Sequence, residues 1–528
     1  MKNKILILII VLSFIFRFYR LGEIPLSLNW DEVSNSYNAY SILKTGRDEY
    51  GNFLPLTNRS FDDYKPPLYM YLDIVPVALV GLNEIAARLP SALFGVMSVY
   101  AIYLLTKRLS KNEKTSRLSA LLFSISPWNL LFSRVGFEAN IGLFFSIITL
   151  MLFHYALRYS ENNPTPKNKL FLVLSAIFAA LSLYSYHSVR IFLPLILFVS
   201  AVIYRENLLK FDKKILSVSI LLGIALTLPL VLLNPKEAIT GRYATTTLKA
   251  RSQDLEKSVS LINEDSNARQ FFGNIIHNRR LVILESTLQK YISHFDINYL
   301  FTSGDDNPRH HLKTNGLLFL VMLPPVLYGV FSSLKKNSKE TLFLFSWLIV
   351  APIPAAFGDA FPHAIRSYLM VVPLTIFGAI GLKKIVTFEK FAKFTLALSS
   401  LILLATVVAF LHNYFAHYNK EEYSSWQYGY KGAVFESAKL KDQFEKVIID
   451  PGIEQGYAFW LFYLKYDPKA YQESGNAKNF DKFYFEDNLP KDDNSLFVSP
   501  SEKFPESFIL VKTIYNSENN ILLKLGHP

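Results

Sequence analysis

Eleven apolar runs limit what this chain can become. They lie at residues 5–16, 85–105, 118–132, 139–157, 169–186, 190–204, 215–233, 316–333, 341–357, 366–382 and 394–412. About 20 apolar residues cross a bilayer as a helix, the one single-segment form that satisfies its own backbone there. Several runs are shorter than that, so their bounds are loose. A further greasy stretch, 68–82 ("LYMYLDIVPVALVGL"), holds Asp73 and Pro76 and is followed at once by Asn83-Glu84. It reads as a helix lying at the interface rather than crossing.

The loops test this count. The first run follows Met-Lys-Asn-Lys and lacks a small-x-small cleavage site, so it reads as an uncleaved anchor with its tail inside. Loops 106–117, 158–168, 205–214, 334–340 and 383–393 then fall on the cytoplasmic side. All are short and rich in Lys and Arg, as the positive-inside rule requires. Making 68–82 a crossing would put every one of these later clusters outside. The net charge of +12 is thus explained by membrane topology, without nucleic acid. Charged residues make up 19% of the chain, below the roughly 25% of soluble domains. There is no cysteine, which excludes disulfides and thiolate metal sites.

The sequence therefore predicts an all-α polytopic membrane protein of about eleven transmembrane helices. Residues 1–412 form the membrane domain, with outer loops 21–84 and 234–315 and interfacial helices in the first. Residues 413–528 change character: "KVIID", "LFVSP" and "FILVKTIY" read as strands and "QGYAFWLFYLKY" as a helix. A small α/β soluble domain is expected there, outside the cell.

Charge near apolar segments is costly and calls for a reason. Asp31-Glu32 follow the first run in "SLNWDEVSN". Asp62, Asp63 and Lys65 precede the Pro-Pro of "FDDYKPPLYMYL". Arg88 lies one turn into the second run. Tight outer hairpins hold Arg134 with Glu138, and His187 with Arg190. His363 with Arg366, and Arg309 with His310 and His311, complete the set. Singly, an arginine here snorkels to headgroups and "GDDNP" is a turn. Together they describe one polar site assembled from the outer loops. Carboxylates with cationic clamps at a lipid interface suit group transfer from a phosphorylated lipid. A carboxylate takes the proton of an attacking hydroxyl, while Arg and Lys hold the departing phosphate.

The segments "NWDE", "DYKPPLYMYL", "RLPSALFG", "SPWNLLFSRVGFEAN", "YSYHSVRIFLPLIL" and "GDDNPRHH" resemble the bacterial relatives of dolichyl-phosphate-mannose protein mannosyltransferases. These are GT-C membrane glycosyltransferases, a superfamily that also holds the lipid A aminoarabinose transferase. The resemblance runs over about residues 1–382 and is strongest in 27–140. It implies a polyprenyl-phosphate sugar donor, inversion at the anomeric carbon, and a catalytic Asp-Glu at Asp31 and Glu32. A further acid falls on Asp63, with Lys65 where the mannosyltransferases commonly have His, and an arginine falls on Arg88. Asp31 is the expected base and Glu32 its partner. Lys65, Arg88, Arg134, Arg190, Arg309 and Arg366 are the expected phosphate ligands. Asp62, Glu138, His187, His310 and His363 are further site candidates.

Loop 234–315 is too short for the MIR domain of the eukaryotic enzymes, so the acceptor stays open between protein, lipid and glycan. No metal is required: Glu32, His187, His310, His311 and His363 could ligate one, but without helical pair spacing. The partners expected are the donor, membrane lipid and the acceptor, with no nucleic acid. The rival readings are a transporter, which needs midplane polar residues and often internal repeats, and a flippase or polymerase of lipid-linked glycans. Polar residues gathered at one face and the early Asp-Glu favour the transferase.

Overall fold

Each of the eleven apolar runs forms helix in the computed structural model. It describes residues 2–61, 63–157, 164–232, 247, 249–336, 338–386, 392–475, 478–490 and 492–528. Seven helical stretches are long and apolar enough to cross a membrane: Glu84–Ser110, Glu138–Ala156, Pro166–Leu183, Lys213–Leu232, Lys339–Ala356, Tyr368–Val386 and Lys393–Glu421. The other four runs fall on shorter helices: α1 (Lys2–Phe18), α5 with α6 (Glu113–Ile125 and Pro127–Phe132), α9 (His187–Ile203) and Leu320–Leu334.

The run 118–132, expected as one span, breaks between α5 and α6. Pro127 lacks the N–H that would continue α5, and its ring clashes with the preceding turn. It starts α6 instead, at the position where a missing N–H costs nothing. The Trp128 amide then reaches out to the Leu317 carbonyl at 3.0 Å.

The remaining helices of the first half are α2 (Trp30–Thr45), α3 (Leu68–Val80), α4 (Glu84–Ser110), α7 (Glu138–Ala156) and α8 (Pro166–Leu183). The segment read as interfacial is α3. Its 13 residues span about 20 Å, short of the ~30 Å hydrocarbon core. A hairpin of β1 (Asn58–Ser60) and β2 (Asp63–Lys65) joins α2 to α3, with Asn58 opposite Lys65 and Ser60 opposite Asp63.

The described parts of loops 106–117, 205–214, 334–340 and 383–393 gather at one end of the bundle. Residues of 109–115, 333–341 and 376–384 line a shared crevice, and Lys339 pairs with Glu206 at 2.7 Å. The predicted basic loops 158–168 and 383–393 lie partly outside the described residues, at 158–163 and 387–391. Outer loop 234–315 is largely helical where described, with helices Lys249–Asn267 and Arg279–Ser293.

The C-terminal strands form one mixed sheet: β3 (Lys446–Ile449), β4 (Phe483–Phe485), β5 (Ser495–Pro500), β6 (Ile509–Tyr515) and β7 (Ile521–His527), in the order β4-β3-β5-β7-β6. β3 runs parallel to β4 and β5, and β7 antiparallel to β5 and β6. The last membrane helix continues past the expected boundary at 412 to Glu421. The unit packs against the first outer loop. Val33, Tyr37, Ile42, Met70 and Ala86 share one hydrophobic core with Val447, Phe459, Trp460 and Leu525. Gln472 donates to Ser41, Thr45 and the Asp48 carbonyl, and Lys431 pairs with Glu84 at 2.6 Å. Each fully buried aromatic here contributes about 1.5–3 kcal/mol, so the sheet unit and the first outer loop stabilise each other.

Candidate active site

Trp30-Asp31-Glu32 form the first turn of α2, so the acids sit on a helix and not in a loop. Asn29 caps it: its Oδ1 accepts the amides of Asp31 (2.9 Å) and Glu32 (3.0 Å), while Glu32 Oε2 accepts the Asn29 amide at 3.0 Å. This reciprocal box fixes the turn, and the helix dipole favours carboxylates there. Neighbours on a helix point about 100° apart, so the two acids part company.

Glu32 turns inward and is fully buried. Its Oε1 accepts from Arg88 Nε at 3.0 Å and from the Gly136 amide at 2.9 Å. A Cβ on Gly136 would lie 3.0 Å from Glu32, from Tyr69 and from the Ala87 carbonyl, so glycine lets that amide approach. Arg88 gives its other donors to the carbonyls of Leu21 (3.0 Å), Pro25 (2.8 Å) and Ser27 (2.6 Å). Arg134, also fully buried, donates to the carbonyls of Phe16, Arg17, Arg20 and Ile24, and to the Tyr414 hydroxyl. It satisfies carbonyls that the C-terminus of α1 leaves open. Glu32, Arg88 and Arg134 brace the chain between α1 and α2 and stand outside the lining of the cavity that Asp31 faces; Arg134 spends all five N–H donors on these partners and Arg88 spends four.

Asp31 turns outward into a cavity of about 490 Å³. Asp63, Lys65, Glu138, His187, Arg309, His310 and His363 line it too, with Trp30, Phe61, Tyr186 and Gln455. Lys65 Nζ, brought round by the hairpin, donates to Asp31 Oδ1. Burial works against the Lys65 ammonium, but Asp31, Glu138 and Asp63 more than offset it and hold its pKa above the ordinary lysine value. Asn35 fixes Glu138 (2.8 Å) and is itself held by Asn58 of the hairpin (2.7 Å). His187 donates from Nε2 to the Tyr64 carbonyl at 3.0 Å. The Arg309 guanidinium lies over the Trp30 ring, 4.8 Å from its centroid.

Two other expected phosphate ligands stand outside this lining. Arg190 donates to the Leu183 carbonyl at 3.1 Å, and Arg366 faces Asp359 at 3.6 Å. Asp62 lies outside the described residues.

Sequence reasoning missed Asp305, taken as part of a turn. Its Oδ2 accepts from His310 Nδ1 and from the Ala364 amide, both at 2.7 Å. Burial opposes the Asp305 charge, but His310, the Ala364 amide and His363 outweigh it and hold the carboxyl at about 2. The ligand atoms of Asp305, His310 and His363 lie within 4.8 Å of one another, a trio that could hold a cation. The His spaced five residues after Asp305 was the one available signal. His311 turns away, to the carbonyls of Asp305 and Leu312.

Residues 64–232 match the family profile described as dolichyl-phosphate-mannose-protein mannosyltransferase. An uncharacterized protein of Aquifex aeolicus (strain VF5) is 32% identical over 152 residues, 29% of this chain and 35% of that protein. A second from the same organism is 33% identical over 129 residues, 24% of each. The chain thus matches only about a quarter to a third of the length of these curated relatives.

Among solved structures, ArnT from Cupriavidus metallidurans in the apo state superposes with a TM-score of 0.58 at 11% identity, over 99% of this chain and 98% of that one. Its undecaprenyl phosphate complex gives 0.56 at 12%, over 98% and 97%. The Archaeoglobus fulgidus oligosaccharyltransferase complexed with Zn and sulfate gives 0.54 at 15%, over 98% and 72%. At such identities the likeness is one of fold. The chain is a membrane protein with the GT-C glycosyltransferase fold, and its residues 64–232 carry the sequence signature of the dolichyl-phosphate-mannose-protein mannosyltransferases.

Proposed function

We propose that this protein moves a sugar from a polyprenyl-phosphate donor to an acceptor hydroxyl, with inversion, at the cavity around Asp31. The observation that carries the reading is Asp31 itself. It is a helix-anchored carboxylate, about one third exposed, facing a cavity whose wall also presents Lys65 and Arg309. The acceptor oxygen attacks the anomeric carbon, Asp31 takes its proton, and the bond to the donor phosphate breaks on the opposite face. Lys65 and Arg309 hold the departing phosphate and spread its charge. Asp63 and Glu138 line the same cavity and serve to place donor or acceptor. No cation is needed for these steps. The Asp305 trio would supply extra positive charge beside the phosphate if loaded.

Glu138 and His187 of the cavity stand at the N-terminal ends of α7 and α9, and the predicted basic loops follow the other ends of these helices, which supports a site on the extracytoplasmic face of the plasma membrane. An apolar groove of about 310 Å³ between α7, α8, α9 and helix Lys213–Thr227 offers a berth for a lipid tail. The test is turnover of purified protein with a polyprenyl-phosphate sugar, read as free polyprenyl phosphate. Asp31→Asn keeps the cap and the fold but cannot take the proton, so turnover should fall about 10²–10⁴-fold. Wild-type turnover in that variant would remove Asp31 from the role of base.

A further inference from the structure

Beside the Asp31 cavity lies a second one, of about 520 Å³, and the two share a wall made of Trp30, Phe61 and Gln455. The second cavity opens at the C-terminal end of β3, where Ile449 and Asp450 leave the parallel part of the sheet. Crevices at the carboxyl ends of parallel strands are where α/β units bind ligands. Its volume is that of a small-molecule site. Gln455, at the shared wall, holds a left-handed backbone (φ 57°) that a non-glycine residue adopts only under constraint. That constraint fixes which way the side chain faces between the two cavities.

The geometry points to this second cavity as the acceptor subsite, taking a neutral polyhydroxylated acceptor: the end of a saccharide. This rests on the transferase reading above and names its acceptor class. Phe61 meets Tyr457 edge to face at 5.9 Å, and Tyr457 meets Phe485 at 6.4 Å, giving aromatic walls for the apolar face of a sugar ring. Asp450, Glu454 and Gln455 supply acceptors for hydroxyl groups. Asp450 faces Lys503 at 3.6 Å and Glu454 shares the lining with Lys478, so the charges balance and the wall carries no net positive charge to favour a phosphate-bearing lipid acceptor. The cavity sits at strand ends and not along a strand edge, so it offers no backbone ladder to an extended peptide. An acceptor lying in it reaches Asp31 past Trp30.

The test uses the full-length protein with a polyprenyl-phosphate sugar and three acceptor classes. These are neutral octyl glycosides of mannose, glucose and galactose, a serine/threonine peptide, and a phosphorylated glycolipid. A neutral glycoside should accept the sugar. Glu454→Ala should raise its KM at least tenfold while donor KM shifts less than twofold, and Gln455→Ala, at the shared wall, should raise the glycoside KM as well. Saturation-transfer NMR with the same glycosides, without donor, should show contact in the wild type and its loss in both variants. Donor cleavage with glycoside KM untouched by the variants, or transfer only to the peptide or the phosphorylated glycolipid, would overturn the subsite alone. Glycoside contact without any donor cleavage would overturn the transferase reading instead, and absence of both would overturn the two together.

Discussion

The sharpest test of the site separates Arg88 as a brace from Arg88 as a phosphate ligand. Both Arg88 and Glu32 are fully buried, and Arg88 serves Glu32 and three backbone carbonyls. Removing one partner of a buried ion pair costs about 3–5 kcal/mol, because the other charge is left without its counterpart. Each carbonyl left dry adds about 1–3 kcal/mol. Net stabilities are only about 5–15 kcal/mol. Arg88→Met should therefore give little folded protein by size-exclusion chromatography in detergent. Glu32→Gln keeps the shape and loses the charge, and should lower the thermal midpoint by on the order of 10 °C. Glu32→Leu with Arg88→Met removes both charges at once. It should be more stable than Arg88→Met alone, with a coupling of about 2 kcal/mol or more. If Arg88 held the donor phosphate instead, Arg88→Met would fold with a wild-type midpoint and show only a raised donor KM. That result, or additive effects in the cycle, would refute the brace.

Three further outcomes follow from the same geometry. Lys65→Met removes the ammonium between Asp31 and the phosphate position and should lower turnover about 10²–10³-fold, with Lys65→Arg retaining more; equal loss in both would deny the charge its role. Glu49, buried beside Asn38, is pushed up to about 8 chiefly by burial. A carboxyl whose folded pKa exceeds its unfolded value of about 4.5 binds more protons when folded, so its contribution is full below that value and lost as pH rises to 8. The thermal midpoint should thus fall between pH 5 and 8, and Glu49→Gln should flatten the fall; an unchanged slope would place the titration elsewhere. Chelation should leave turnover within about twofold, because Asp305 and His310 already satisfy each other. A large loss restored by a divalent cation would put that cation on Asp305, His310 and His363.

That residues of several loops meet was legible from the charge pattern, but which of them meet was not: Arg190 and Arg366 share hairpins with His187 and His363 and stay outside the cavity lining. On the positive-inside reading, short Lys-rich loops mark one set of run ends, and the tight hairpins are then expected together at the other. Asp31, Lys65, Glu138, His187, Arg309 and His363 line one cavity. What each residue does there was not legible, because it depends on direction. Asp31 and Glu32 are adjacent in sequence and about 100° apart on α2, so one faces the cavity and the other a buried guanidinium. Nothing in "NWDE" says which, until the carbonyls of residues 21–27 are known to surround Arg88.

The same reasoning explains why the C-terminal unit was read as separate. Strand and helix patterns report local periodicity, and "QGYAFWLFYLKY" is apolar on all sides. A helix buried on every side has to be covered by something beyond its own sheet. Here the cover is α2, whose first turn carries Asp31, and Tyr37 of α2 donates to the Tyr466 carbonyl at 3.1 Å. The helix that carries Asp31 is therefore held in turn by the unit that holds the second cavity. Loosening that contact, as by Tyr37→Ala, disturbs the placement of Asp31 and of Gln455 together. A variant at Tyr37 that changed acceptor KM while turnover at saturating acceptor stayed whole would separate the two, and would show that α2 is positioned without the C-terminal sheet.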